Sequence, residues 1–316
     1  MRRWTRRQFL QWAGLLAASA ALLGSGCTAK PGGDEDSGRP AAPAPTGDQA
    51  YLAVARGSDP ATITERALAA IGGIERFVKS GHDVIIKPNI CVNYNPPEFA
   101  ATTNPDVVAA LVRLCLGAGA RRVRVMDMPF GGTPASAYAI SGIEDAVKAA
   151  GGEMEIMNPA KFVKSAIPQG KNIREWEIYR DVLTTDVLIN VPIAKHHSLA
   201  RLSLGLKNLL GVVSNPSKMH SNLAQRIADL SSVVRPTLTV VDAVRILATN
   251  GPTGGSLNDV KPTNTVAVSH DFVAADAWAA TLFGLKGADV PFIKATADMG
   301  LGTLELDSIK IEEIDA

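Results

Sequence analysis

Cysteine is scarce in this chain, with three in 316 residues. With Cys27 set aside for the reason given below, Cys91 and Cys115 are too few for a four-thiolate iron–sulfur cluster or structural zinc site. An oxidising compartment permits a Cys91–Cys115 disulfide, but nothing in their spacing requires one. The five histidines form no HxH or HxxxH pattern, so a compact zinc motif is absent. Neither a Walker A loop nor a GxGxxG fingerprint is present. The apolar stretch near the start falls short of the roughly 20 residues that span a membrane. An excess of positive charge is also missing: 32 Lys and Arg face 31 Asp and Glu, a net charge of +1. Loss of Arg2, Arg3, Arg6 and Arg7 with a leader would turn that to −3, which excludes the usual nucleic-acid footprint.

What the chain does have is an address. Thr5-Arg6-Arg7-Gln8-Phe9-Leu10, followed by the uncharged stretch from Trp12 to Leu23, reads as a twin-arginine export signal. That route moves folded proteins, often with a cofactor already inserted. The translocation machinery is therefore an expected partner, and the periplasm or outer face of the cell membrane the expected location. Leu23-Gly24-Ser25-Gly26-Cys27 is similar to a lipoprotein cleavage box, with Gly24 where an aliphatic residue is usual. Acylation of Cys27 would hold the protein on a membrane surface without spanning it. Cleavage within Ala17–Ala21 is the alternative. Residues 28–49 are rich in Gly, Pro, Ala, Asp and Ser, a flexible tether that cannot bury enough apolar surface to order itself. Residues 50–316 are long enough for a large core.

Short β-branched runs alternate with helical periodicity along residues 50–316, the pattern of an α/β fold. Strands are expected at 51–55, 83–90, 122–128, 153–157, 186–192, 238–241 and 265–268, with an edge strand at 308–314. Helices are expected at 63–78, 106–117, 135–150, 199–213, 223–234, 273–285 and 290–299. Phe162–Ile167 and Glu175–Tyr179 look like strands of a peripheral insertion. The expected architecture is a mostly parallel sheet with helices on both faces and this small β insertion.

In open parallel sheets ligands bind beyond the carboxyl ends of the strands. Polar residues cluster at that end of nearly every expected strand: Lys87 and Asn89, Asp127, Asn190 with Lys195-His196-His197, Asp242, and His270-Asp271. Asn250-Gly251-Pro252-Thr253-Gly254-Gly255 adds a glycine-rich loop. Taken singly, each has a structural reading as a turn, a cap or a pair. Together they describe a site for an anionic small molecule, with Lys87, Asn89, Asp127, Lys195, Asn208, Asn250, Gly251 and Gly254 as ligand-binding residues. His197, His220 and Lys207 are the catalytic candidates. His197 and His220 with Asp242 are a candidate metal set that depends on the fold to assemble it. Lys207 sits in an apolar segment between Gly205 and Gly211, so it either reaches solvent or lies over a pocket.

Several ordered motifs resemble the domain of unknown function 362 family. They are Ile86-Lys87-Pro88-Asn89, Ala101-Thr102-Thr103-Asn104-Pro105, Asn190-Val191-Pro192-Ile193-Ala194-Lys195-His196-His197, Gly205-Leu206-Lys207-Asn208-Leu209-Leu210-Gly211, the 250–255 loop and Val273-Ala274-Ala275-Asp276-Ala277. The resemblance implies an α/β domain and a site, but no established reaction. Some relatives carry ferredoxin-like segments, whose cysteines this chain lacks. The order of elements is also similar to the N-terminal catalytic region of lactate racemase-like proteins, where lysine and histidines serve a nickel-pincer nucleotide. That is a likeness of architecture alone. Two functions follow as expectations: a cofactor- or metal-dependent envelope enzyme acting on an anion, or a non-catalytic module that binds a ligand or docks on an envelope redox complex.

Overall fold

The computed structural model describes Thr46 and residues 49–316. The export signal, Cys27 and nearly all of the 28–49 tether lie outside the described residues.

The chain begins with β1 (Leu52–Arg56), α1 (Pro60–Ala70), β2 (Asp83–Pro88), α2 (Pro105–Gly117), β3 (Arg122–Val125), α3 (Pro134–Ile140), α4 (Ile143–Ala149) and β4 (Glu153–Met154). A two-stranded antiparallel sheet, β5 (Phe162–Ala166) and β6 (Glu175–Tyr179), forms the expected insertion. After α5 (Arg180–Thr184) come β7 (Val187–Val191), β8 (Ile193–His197), β9 (Arg201–Ser203), α6 (Gly205–Asn208) and α7 (Leu223–Ser231). The chain closes with β10 (Leu238–Leu247), β11 (Val260–Ser269), α8 (Phe272–Thr281), α9 (Pro291–Ala297) and β12 (Ile311–Asp315).

The main sheet runs β12-β1-β11-β10-β7-β2-β3-β4, with β8 continuing beside β10 and pairing with β9. It is parallel from β10 through β4. It turns antiparallel where β11 lies between β10 and β1, and β12 pairs parallel to β1 at the edge.

Alternation along the strands explains why helices cover both faces. Ala53, Val84, Ile86, Val187, Ile189 and Val240 pack with Ile63, Leu68, Val108, Leu111 and Ile143 of α1, α2 and α4. Leu52, Val54, Ile85, Leu188 and Val241 pack on the opposite side with Leu206, Ile227, Val273, Ala277 and Ile293 of α6 to α9. Each Val, Leu or Ile among them, fully buried, contributes about 1.5–3 kcal/mol. The architecture is the α/β fold with a mostly parallel sheet that the periodicity predicts. Among the described residues no helix is long and apolar enough to cross a membrane.

Two helices differ from expectation. The 135–150 helix is interrupted at Ser141-Gly142, where Gly142 takes φ 69°, a left-handed conformation open to glycine at little cost. The 199–213 helix is instead the β8–β9 hairpin, the single turn of α6 and a 3-10 turn over Leu209–Val212. Its apolar spacing satisfied a helical period while serving three different local structures.

Candidate functional site

The site begins where β2 stops. Pro88 ends the strand, and the chain turns through Asn89, Ile90 and Cys91. Thr103 braces this turn: its hydroxyl accepts from Asn89 N at 2.8 Å and donates to Val191 O at 2.8 Å, and its amide donates to Asn89 O at 3.0 Å. Next door, Asn104 caps α2 by accepting from Asp106 N at 2.8 Å. The Thr103-Asn104-Pro105 motif therefore starts a helix and clamps the turn that carries Asn89.

Parallel pairing of β2 with β3 and β7 sets Lys87, Asp127 and Asn190 side by side at the carboxyl ends. Lys87, 1% exposed, donates to Asp127 Oδ1 at 2.7 Å, Asn208 Oδ1 at 3.0 Å and Pro88 O at 2.9 Å. Burial pulls its ammonium down from the ordinary lysine range, and Asp127 opposes that pull. Asp127 Oδ1 also accepts from Met128 N at 2.9 Å, and Oδ2 accepts from Ile90 N at 2.6 Å. Asn208 accepts from Asn89 Nδ2 at 2.9 Å and donates to Asn190 Oδ1 at 2.8 Å, while Asn190 donates to Gly205 O at 2.8 Å. Every proton on Lys87 already has a protein acceptor, so Lys87 holds this framework together.

The segment carrying Lys207 and Asn208 is fixed from behind by Asp276 of α8. Its two oxygens accept from Gly205 N at 2.7 Å and Leu206 N at 2.8 Å, covering the free amides at the start of α6. Burial pushes the Asp276 carboxyl up to about 7. Both flanking glycines are required by close approach. A Cβ on Gly205 would lie 2.8 Å from Asp276 Oδ1, and one on Gly211 would overlap Asp127 Oδ1 and lie 2.7 Å from Lys87 Nζ. Composition and spacing single out Gly205 and Gly211 as brackets, whereas Asp276, inside an alanine-rich helix, carries no signal beyond its place in a motif.

In front of this frame lies a cavity of about 670 Å³, whose lining includes Asn89, Lys195, His197, Lys207, Asn208 and His220. Lys87 and Asp127 form part of its wall, as do Cys91, Phe130 and Ser203. Lys195, 1% exposed, donates to Asn89 Oδ1 at 2.9 Å, Ala101 O at 2.7 Å and Cys91 Sγ at 3.3 Å. No carboxylate lies within ion-pair distance of Lys195 among the described residues. Lys207 is half-buried, and its amine has no hydrogen bond or ion pair to any described residue. Burial, helped by the neighbouring Lys195 charge, lowers its amine to about 8.

The two histidines present opposite chemistry. His197 Nδ1 accepts from Leu199 N at 3.1 Å and Ala200 N at 3.2 Å, which leaves the proton of the neutral ring on Nε2. Burial, then Lys207 and Lys195, drive its pKa down to about 3, so His197 is a neutral donor. His220 is exposed, and its Nδ1 lies 3.0 Å from Ser217 O, an acceptor, so Nδ1 carries the proton and Nε2 is free.

This arrangement does not bring the metal set together. To ligate through Nε2, His197 would have to protonate Nδ1 and lose two amide bonds. Asp242 is fully buried, accepting from Asn104 N at 2.7 Å and Val244 N at 3.0 Å, with its carboxyl pushed up to about 6 by burial. Among the described residues no group of three His, Cys, Asp or Glu is placed to hold a metal ion.

The glycine-rich loop also departs from expectation. Asn250 donates to Asp259 Oδ1 at 2.8 Å, and Gly251 donates to His196 Nδ1 at 3.2 Å. A Cβ on Gly251 would overlap His196 O, so the glycine permits contact with the protein's own backbone. Asn250, Gly251 and Gly254 do not line the cavity, although Pro252 does. Asp271 caps α8 and accepts from Tyr51 Oη at 2.7 Å. Cys91 and Cys115 are free thiols, and Cys115 is a core residue whose burial pushes its pKa up to about 12.

Comparison with known proteins places the chain. It is 25% identical over 245 residues to the thylakoid-associated protein sll1697 of Synechocystis sp., covering 74% of this chain and 73% of that one. Among solved structures it is similar to the lactate racemase apoprotein of Thermoanaerobacterium thermosaccharolyticum, at 13% identity and TM-score 0.48, covering 74% of this chain and 57% of that one. A Thermotoga maritima protein solved by structural genomics matches at 13% identity and TM-score 0.38, covering 72% and 60%. The chain thus spans less than two thirds of both solved chains. Residues 84–281, which contain every residue of the cavity wall, match the family described as Domain of unknown function (DUF362), and the chain belongs to that family.

Proposed function

We propose that the cavity binds an anionic small molecule through Lys207 and His197, with Lys195 supplying charge through space. The carrying observation is the unmatched positive charge. A buried ammonium without a carboxylate is costly: Lys195 is held by an amide oxygen, a backbone carbonyl and the Cys91 sulfur, and the Lys207 amine beside it has no acceptor among the described residues. A carboxylate or phosphate in the cavity would provide the missing counter-charge. Lys87 and Asn208 serve the site indirectly, because their bonding capacity is spent on the frame.

The test is calorimetry with inorganic phosphate and oxalate on the protein and on Lys207→Ala. Loss of one charge-assisted contact should weaken binding about ten- to hundredfold. No anion binding by the unaltered protein would sink the reading. We further propose export through the twin-arginine signal and acylation at Cys27, which the 5–10 and 23–27 segments support. Arg6→Lys with Arg7→Lys should retain the protein in the cytoplasm, and Cys27→Ala should release it from membranes.

A further inference from the structure

Three lysines meet in one cavity, but their amines are not equivalent. Lys87 and Lys195 each direct their ammonium protons at three protein acceptors, so neither has a lone pair available for chemistry. The Lys207 amine has no partner among the described residues, and it stands on an anchored segment: Asp276 pins the turn before it and Asn208 is locked immediately after it. A partnerless amine on a rigid mount, facing a cavity among cations, is the setting of a nucleophilic lysine rather than of a simple counter-ion.

We propose that Lys207 condenses with the carbonyl group of an anionic carbonyl compound of the 2-oxo acid class, forming an iminium link in the cavity. The proposal rests on the anion-site reading and specifies what the anion also carries. The excess positive charge around Lys195 meets the carboxylate. The Nε2–H of His197, fixed by its two amide bonds, is the hydrogen-bond donor for the carbonyl oxygen. His220, with Nε2 free, is the group that moves protons at the rim.

The step balances without any further reactant. The neutral amine adds to the carbonyl carbon, a C–N bond forms, and the C=O π pair moves onto oxygen. One amine proton is transferred to that oxygen, giving a carbinolamine. The C–O bond then breaks with a second proton supplied through His220 or solvent, water leaves, and the nitrogen lone pair closes the iminium. Overall, a protonated lysine and a carbonyl give a protonated imine and one water. The amine at about 8 places on the order of a hundredfold more of Lys207 in the neutral form at pH 7 than an ordinary lysine.

The experiment is to incubate the full folded chain with glyoxylate or pyruvate and sodium cyanoborohydride, then map adducts by peptide mass spectrometry. The expected result is an adduct at Lys207 at least about tenfold more abundant than at surface lysines such as Lys148 and Lys164, given the excess of neutral amine. Unlabelled phosphate should compete it away. Binding of the oxo acid by calorimetry without a Lys207 adduct would overturn the iminium and leave the anion site standing. Absence of both binding and adduct would overturn the two together. An adduct spread evenly over surface lysines also overturns the proposal. Because the adduct is mapped in the unaltered protein, no variant has to fold for the answer to count.

Discussion

Arg124 on β3 and Lys87 on β2 are cations buried on neighbouring strands, yet their surroundings are opposites. Arg124 contacts Asp181 at 2.7 Å, Glu155 at 3.2 Å and Asp83 at 3.2 Å, and Lys161 joins Asp181 at 2.8 Å and Glu155 at 3.1 Å. Burial works against the Arg124 charge, but the carboxylates overcome it and raise its pKa. At close range Arg124 and Lys161 share three carboxylates, and the more exposed Arg122 and Arg180 lie 4.0 Å from Glu155 and Asp181 respectively. In the cavity, Asp127 is the lone carboxylate of the wall among the described residues, facing Lys87, Lys195 and Lys207. There burial lowers Lys207 and His197, and the neighbouring lysine charges add to it. The first cluster is complete within the protein and ties the insertion to the sheet. The second needs something from outside, and that difference separates a structural ion network from a binding site more sharply than burial or charge density does.

The comparison predicts a clean split in phenotype. Arg124→Met leaves Asp83 without its close partner and Glu155 and Asp181 with Lys161 and the more distant, more exposed Arg122 and Arg180, which should cost about 3–5 kcal/mol. For a domain of this size that lowers the melting temperature by on the order of 10 °C. Anion affinity of the folded protein should not change. Asp181 and Glu155 are half-buried, which works to raise them, yet bonds from Lys161 and Arg124 hold both below their usual values. Their stabilisation is therefore complete above about pH 4.5 and is lost as pH falls through the lowered values. If Arg124→Met weakened anion binding while melting stayed put, the two clusters would not be separable.

Gly211→Ala tests the frame itself. The added Cβ would fall on the Lys87–Asp127 pair, and displacing buried charges in a filled site costs about 1–3 kcal/mol. Unlike Arg124→Met, it should also disturb anion binding, because Lys207 and Asn208 share the segment. A variant that melts normally and binds normally would mean that the pair tolerates displacement.

How far the residues announced all this can be judged position by position. Alternation in Val84-Ile85-Ile86 and Val187-Leu188-Ile189 is enough to predict buried strands and two covered faces. Lys87, Asn89, Asp127, Lys195, His197, Lys207, Asn208 and His220 all fall at one cavity because a parallel sheet delivers strand ends to one edge. Their division of labour was not legible. Whether a lysine is saturated depends on carbonyls such as Pro88 O and Ala101 O, which no side-chain pattern encodes. The tautomer of His197 is set by the amides of Leu199 and Ala200 in a hairpin that apolar spacing disguised as a helix. Asp242 and the 250–255 loop were chemically plausible, but their polar groups are turned inward to the backbone and to Asp259.

Two smaller effects sharpen the contrast at Lys207. Because this amine has no hydrogen bond or ion pair to lose and Met keeps a stem of similar length, Lys207→Met should leave the melting temperature within about 2 °C of the unaltered protein. A large loss would return Lys207 to the structural side of the comparison. The last expectation is a pH profile. Lys207 is a cation below about 8 and neutral above it, so phosphate or oxalate affinity should fall as pH rises through that value. The drop should be about tenfold between pH 7 and 9 if one charge-assisted bond is lost. Lys207→Arg, which stays charged across this range, should keep binding and flatten the profile. A profile that is flat in the unaltered protein would mean that the counter-charge comes from Lys195 alone, and that the free amine is reserved for chemistry rather than for holding the anion.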